Sequence, residues 1–204
     1  MKLIAITGGI GSGKSVVAHM VQVMGFHVYD CDSRAKSLMT GDDQVMRQLA
    51  DAFGNDVFME NGSLNRQHLS AVAFADKQAL AQLNAIVHPA TARDLQRWAA
   101  EQEHQGAATA FVETALLRTS GLDRVVDDVW HVTAPDTVRI ERVMARSGLT
   151  ASQVQERIQA QRNEEQIAPG EQVIINDNIS ALLPQVTRLL STINSWQPPT
   201  NTKD

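Results

Sequence analysis

Cysteine is almost missing from this chain: Cys31 is the single thiol in 204 residues. One Cys cannot close an intrachain disulfide, so the fold is not a disulfide scaffold, and such usage fits a reducing, cytoplasmic compartment. Aromatic residues make up 4%, which leaves few platforms on which a strand of bases could stack. Basic residues are outnumbered, 18 Lys and Arg against 23 Asp and Glu, for a formal net charge of −5. No overall field draws the chain to nucleic acid or an anionic membrane, so any polyanion must be gripped locally. Long hydrophobic runs are lacking too, because Gln, Asp, Arg or His interrupts each one before the roughly 18 apolar residues of a membrane span. Leu3-Ile4-Ala5-Ile6 is too short for the apolar stretch of a signal peptide. The 6 His and the lone Cys show no spacing suited to zinc, so no structural metal is expected.

What the chain does contain is an ordered series of elements. Residues 2–6 form a short apolar run ending in glycines, which suits a buried parallel strand, and Val16, Val17, Met20, Val21 and Met24 follow at helical spacing. Between them stands Gly8-Gly9-Ile10-Gly11-Ser12-Gly13-Lys14-Ser15, a complete G-x-x-x-x-G-K-[ST] signature in the strand-to-helix context that gives it meaning. Glycines let the backbone curl so that successive N–H groups converge on one anion, and the following helix N-terminus adds partial positive charge. Lys14 then reaches the β- and γ-phosphates of a nucleotide, and the Ser15 hydroxyl can sit on the Mg²⁺ that bridges them.

Residues 26–29 read as a second strand that stops at Asp30. Residues 33–103 carry helical patterns only, at 35–39, 45–53, 68–74, 80–87 and 92–100, broken by Gly41, Gly54-Asn55, Asn61-Gly62 and Pro89. Pro89 predicts a helix break with His88 held extended. Strands follow at 107–112, 125–132 and 173–175. Pro135-Asp136 opens a helix that Ser147-Gly148 closes, Thr150 and Gln153 form a capping box opening a polar, exposed helix to Gln166, and 179–193 is a last helix. Strands alternating with helices imply a parallel sheet covered on both faces. The expected class is α/β: a three-layer P-loop NTPase core with a parallel sheet, an inserted helical lobe and a short helical lid. The core takes residues 1–32, 104–149 and 170–196, the lobe 33–103, the lid 150–169, and 197–204 a frayed tail.

Asp30-Cys31-Asp32 follows the second strand, where a doubly wound fold gathers loop residues at the carboxyl edge of the sheet. A hydroxyl attacking a γ-phosphoryl group needs a carboxylate to take its proton, and Asp32 is the candidate, with Asp30 orienting the acceptor or the metal's water. A helix N-cap and a solvated acid are the competing use of the pair. Cys31 between them reads as a small packing residue. Glu113 ends the third strand, where a carboxylate could hold the water shell of Mg²⁺ or simply favour a helix N-terminus. Arg139, Arg142 and Arg146 share one helix face, either clamping ATP phosphates, with Arg146 best placed, or forming a solvated stripe paired with Glu141. Arg157 and Arg162 lie in the polar helix read as a lid that excludes water.

These residues resemble one family, dephospho-coenzyme A kinase. The likeness rests on residues 6–15, on Asp30-x-Asp32, on Leu64-Asn65-Arg66 with Phe74 downstream, on His88-Pro89 and on Val173-Ile174-Ile175-Asn176. It implies ATP-dependent phosphorylation of the ribose 3′-hydroxyl of dephospho-coenzyme A, with Mg²⁺, the last step of coenzyme A synthesis. By this resemblance Asp32 and Lys14 would be catalytic, with Gly8 to Val16, Arg146 and Asn176 on the nucleotide. Thr7, Asp30, Asp32, Arg66, His88 and Glu113 would serve the acceptor, and the lobe around His88 would bind it. The chain departs from the family pattern in reading Ala115-Leu116-Leu117-Arg118-Thr119 where many members have Pro-Leu-Leu-x-Glu. It also reads Gln161-Arg162-Asn163-Glu164-Glu165 at the lid, and Ser15-Val16 in place of Ser-Thr.

Two other readings compete. A small-molecule kinase such as a shikimate-kinase-like enzyme would share the loop and the Asp pair, but some seventy residues of lobe suit a long acceptor better. A nucleotide-gated binding module would need no acceptor, yet no Asn-Lys-x-Asp guanine motif occurs. The expected partner is a small molecule, with no nucleic acid, membrane or protein partner evident.

Overall fold

In the computed structural model, residues 1–73 and 76–193 are described. The order is β1 (Lys2–Thr7), α1 (Lys14–Val23), β2 (His27–Asp30), α2 (Cys31–Gly41), α3 (Asp43–Phe53), α4 (Arg66–Ala73), α5 (Lys77–His104), β3 (Thr109–Glu113), β4 (Asp128–Thr133), α6 (Asp136–Ser147), α7 (Ala151–Ala160), β5 (Gln172–Ile175) and α8 (Leu182–Ser191). Single 3-10 turns at Asn55–Val57 and Leu122–Arg124 complete it. Asp30–Glu101 forms one compact unit, and the residues on either side form the other. Phe74 and the tail at 197–204 lie outside the described residues.

The sheet runs β2-β3-β1-β4-β5. Pairing is parallel between β1 and β3, β1 and β4, and β4 and β5, so β1 is central and the loop after it opens at the carboxyl edge. β1 is buried along almost its whole length, as a run apolar on both faces requires. Ile4, Ile6, Phe111, Trp130 and Ile174 pack with Val17, Val21 and Leu190 into one core. Phe111 meets Phe26 and Trp130 edge to face at 5.3 and 5.0 Å. The acids at the start of β4 are structural. Asp127 accepts from the Leu3 N–H at 2.7 Å, and Asp128 pairs with Lys2 at 3.0 Å.

The second unit has its own core of Val45, Leu49, Val57, Leu69, Ala73 and Ala90. Arg34 grips the buried Asp94 with two hydrogen bonds, 2.7 and 2.9 Å, pinning α2 to α5. The helices expected at 80–87 and 92–100 are one. α5 runs from Lys77 to His104 with Pro89 inside it, so His88 is helical and not extended. Packing overrides the proline here: Ile86 and Ala90 are held in the core on either side of it. The Thr91 hydroxyl donates to the Val87 carbonyl at 2.9 Å.

The capping box is present in both halves, but its helix is not the exposed arm to Gln166 that its polar sequence suggests. α7 stops at Ala160, and Val154 and Ile158, four residues apart, are fully buried against Val143 of α6. Two apolar residues sufficed to seat a helix otherwise polar.

Candidate active site

The glycine loop between β1 and α1 is built as its sequence requires. Gly8, Gly11 and Gly13 have φ of 144°, 77° and 94°, and Gly13 is the left-handed N-cap of α1. A Cβ on Gly13 would overlap the Asn176 amide, and one on Gly9 would overlap the Glu165 carboxylate and the Arg139 guanidinium. Glycine at both positions is therefore a matter of close approach by named groups.

Side chains hold the carbonyls of four consecutive loop residues. Lys14 Nζ donates to Gly9 O at 3.3 Å and Arg139 Nε to Ile10 O at 2.8 Å. Arg142 Nη1 donates at longer range to Gly11 O and Ser12 O, 3.4 and 3.5 Å, and Asn176 Nδ2 donates to Ser12 O at 2.8 Å. A trans peptide points its N–H opposite its carbonyl, so fixing Ile10 O and Ser12 O turns the N–H groups of Gly11 and Gly13 away from α6 and β5. That is how a string of peptides becomes an anion cradle. Lys14 opens α1, and Ser15 and Val16 stand exposed in its first turn.

Thr7 Oγ1 and Ser12 Oγ are buried with no hydrogen-bond partner among the described residues. Ser12 also lines a polar cavity of about 240 Å³ with Gly9, His131, Asp136, Arg139 and Glu165. His131 also belongs to a largely buried charge cluster, where Arg118 donates to Glu171 and His131 Nδ1 stands 3.6 Å from Glu171 Oε2. Burial holds the His131 pKa below its ordinary 6.5, against the opposing pull of Glu171. Glu164, also buried, accepts from the main chain of Arg118 and Thr119, so part of the divergent segment at 115–119 is anchored to the turn that follows α7.

The remaining site residues fall as follows. Asp30 ends β2 and caps α2, its carboxylate accepting from Ser33 N at 3.1 Å and Ser33 Oγ at 2.5 Å, while Asp32 is exposed in the first turn. Cys31 is buried, a packing residue. Glu113 ends β3, half-buried. In the second unit, Asn65 caps α4 by accepting from His68 N at 3.1 Å, Arg66 is exposed at its start, and His88 is half-buried in α5.

The arginine stripe divides by depth. Arg146 is exposed in the last turn of α6, whereas Arg139 is 4% exposed and reaches the loop, as does Arg142. Arg142 also donates to Asn176 at 3.1 Å and to Asn178. Both ends of the Asn176 amide are thus engaged inside the protein, and it meets the loop as a buttress. Sequence reasoning did not single out Gln161 as a loop contact, nor Arg139 ahead of Arg146. The signal available was the i, i+3 pairing of Asp136 with Arg139, which ties that arginine to the start of α6.

A glycine loop that presents Lys14, carried on a parallel sheet with β1 at its centre, defines a P-loop α/β protein. The dephospho-CoA kinase (CoaE) family model matches residues 2–181. A dephospho-CoA kinase of Porphyromonas gingivalis is 38% identical over 200 residues, covering 97% of each chain. One of Bacteroides fragilis is 36% identical over 189 residues, 92% of this chain and 91% of that one. A crystal structure of a Thermus thermophilus protein is 32% identical and superimposes with a TM-score of 0.74, covering 94% and 95% of the two chains. The chain belongs to the dephospho-CoA kinase family.

Proposed function

We propose that this chain transfers the γ-phosphoryl group of ATP to the ribose 3′-hydroxyl of dephospho-coenzyme A, giving coenzyme A and ADP. The observation that carries this reading is the family match over residues 2–181 with an intact phosphate loop inside it. Backbone N–H groups of the loop and the N-terminus of α1 hold the phosphates, and Lys14 neutralises charge that shifts toward the leaving oxygen. Asp32 takes the proton of the attacking hydroxyl, and Asp30, by capping α2, fixes the turn on which Asp32 stands.

Among the described residues no cluster of three or more His, Cys, Asp or Glu could hold a metal by itself. The exposed hydroxyl of Ser15 beside Lys14 is a hard oxygen donor that fits Mg²⁺ carried in on the nucleotide. Bound there, Mg²⁺ would offset phosphate charge. Residues 150–169 would act as the lid, and residues 33–103, with Arg66 and His88, would receive the acceptor. We place the reaction in the cytoplasm, where a chain with one buried thiol keeps it reduced.

The test is a coupled ADP-release assay with ATP and Mg²⁺ over a panel of acceptors. ADP release that depends on dephospho-coenzyme A is expected. Equal release with shikimate, or with no acceptor, would sink the reading.

A further inference from the structure

Ile10 of the phosphate loop is held at its N–H, its carbonyl and its side chain by groups from outside the loop. Its side chain packs on Val143, Val154 and Ile158 from α6 and α7. Its N–H donates to Gln161 Oε1 at 2.7 Å, and its carbonyl accepts from Arg139 Nε at 2.8 Å. Arg139 is in turn fixed by Glu165, through 2.9 and 2.5 Å hydrogen bonds, and by Asp136 at 3.1 Å. Arg162 closes the ring, 2.6 Å from Asp136 and 3.8 Å from Glu165.

We infer that Arg139 is a positioning residue for the phosphate loop and not a phosphate ligand, and that Glu165 sets it. Geometry separates the two roles. Four of its five N–H groups are spent on three protein partners: Nε donates to the Ile10 carbonyl, and Nη1 and Nη2 donate to the carboxylates of Asp136 and Glu165. A guanidinium so placed, 4% exposed, has its fork committed. Gln161 and Glu165 both come from the turn that ends α7, so that turn sets the peptide before Ile10 directly and the peptide after it through Arg139. Orientation of the next N–H, that of Gly11, follows from it. The lid turn thereby shapes the nucleotide cradle through contacts to its main chain.

The inference rests on the reading that ATP binds this loop, and one variant separates the two roles by sign. If Glu165 merely masks a phosphate-seeking arginine, Glu165→Gln frees Arg139 and tightens ATP binding. If Glu165 holds a positioning arginine, the same change weakens ATP binding, by on the order of tenfold for one charge-assisted hydrogen bond. The Kd for ATP would be measured by titration, beside kcat and the KM for dephospho-coenzyme A. The expected result is a raised Kd and KM for ATP with the acceptor KM unchanged. A loss of folded protein would instead lower kcat and leave both KM values alone. A tighter or unchanged ATP Kd overturns the inference. Should Glu165→Gln fail to fold, Glu165→Asp, which keeps the charge and draws the carboxylate back from Arg139, is read by the same criterion. Wild-type protein that fails to bind ATP at all would overturn the functional reading as well, and is seen before any variant is made.

Discussion

Asp32 and Gly13 carry different burdens, and single substitutions should tell them apart. Asp32 is exposed in the first turn of α2, so Asp32→Asn leaves the fold untouched. Acceptor-dependent ADP release should fall by roughly 10²–10⁴, the usual contribution of a general base, with the Kd for ATP unchanged; a normal rate would dismiss Asp32 as the base. Gly13→Ala should do the reverse. At φ 94° an added Cβ is strained and meets the Asn176 amide, so ATP affinity should collapse in a direct titration. The loop itself was legible, because its glycines must occur in fixed order between a strand and a helix. Its supports were not. Arg139 and Gln161 act on main-chain atoms of Ile10, 129 and 151 residues away, and no local pattern records such a pairing. The stripe of three arginines is visible in sequence; which one lies against Glu165 is decided only by how α6 packs.

At the scale of elements, strands were read to within a few residues because their apolar runs are short and bounded. Helices were misread where one or two residues outvoted local preference. α7 is the clearer case. Ile158, with Val154, is fully buried in a helix that is otherwise mostly polar, so Ile158→Ala should lower stability by about 2–4 kcal/mol in denaturant unfolding. The exposed Glu156→Ala should stay within about 0.5 kcal/mol of wild type. Equal effects would mean that α7 is not seated by its apolar pair. In α5 the rule and the structure disagree openly. A proline inside a helix costs about 3 kcal/mol relative to alanine, and Pro89 is exposed, so Pro89→Ala should raise the unfolding midpoint. If Pro89 serves the acceptor by placing His88, the same variant raises the KM for dephospho-coenzyme A and leaves the Kd for ATP alone.

For the molecule as a whole, a net charge of −5 says little about where charge matters. The ionic groups that shape the phosphate-loop unit are the largely buried pairs around Arg139 and Arg118, and His131 packs beside the second of them. It is 2% exposed, faces Glu171 at 3.6 Å and shares that carboxylate with Arg118. Burial favours its neutral form, so its pKa in the folded state lies below the ordinary 6.5. The unfolded chain therefore binds a proton at His131 that the folded chain refuses. Stability from this group is full above the unfolded pKa and is lost as pH falls from about 6.5 toward the folded value, below which both states carry the proton and the loss stops growing. The unfolding midpoint should accordingly drop on acidification across that window. His131→Gln, which cannot take up a proton, should show a shallower drop in the same window. Identical slopes for the two proteins would mean that the acid sensitivity does not come from His131.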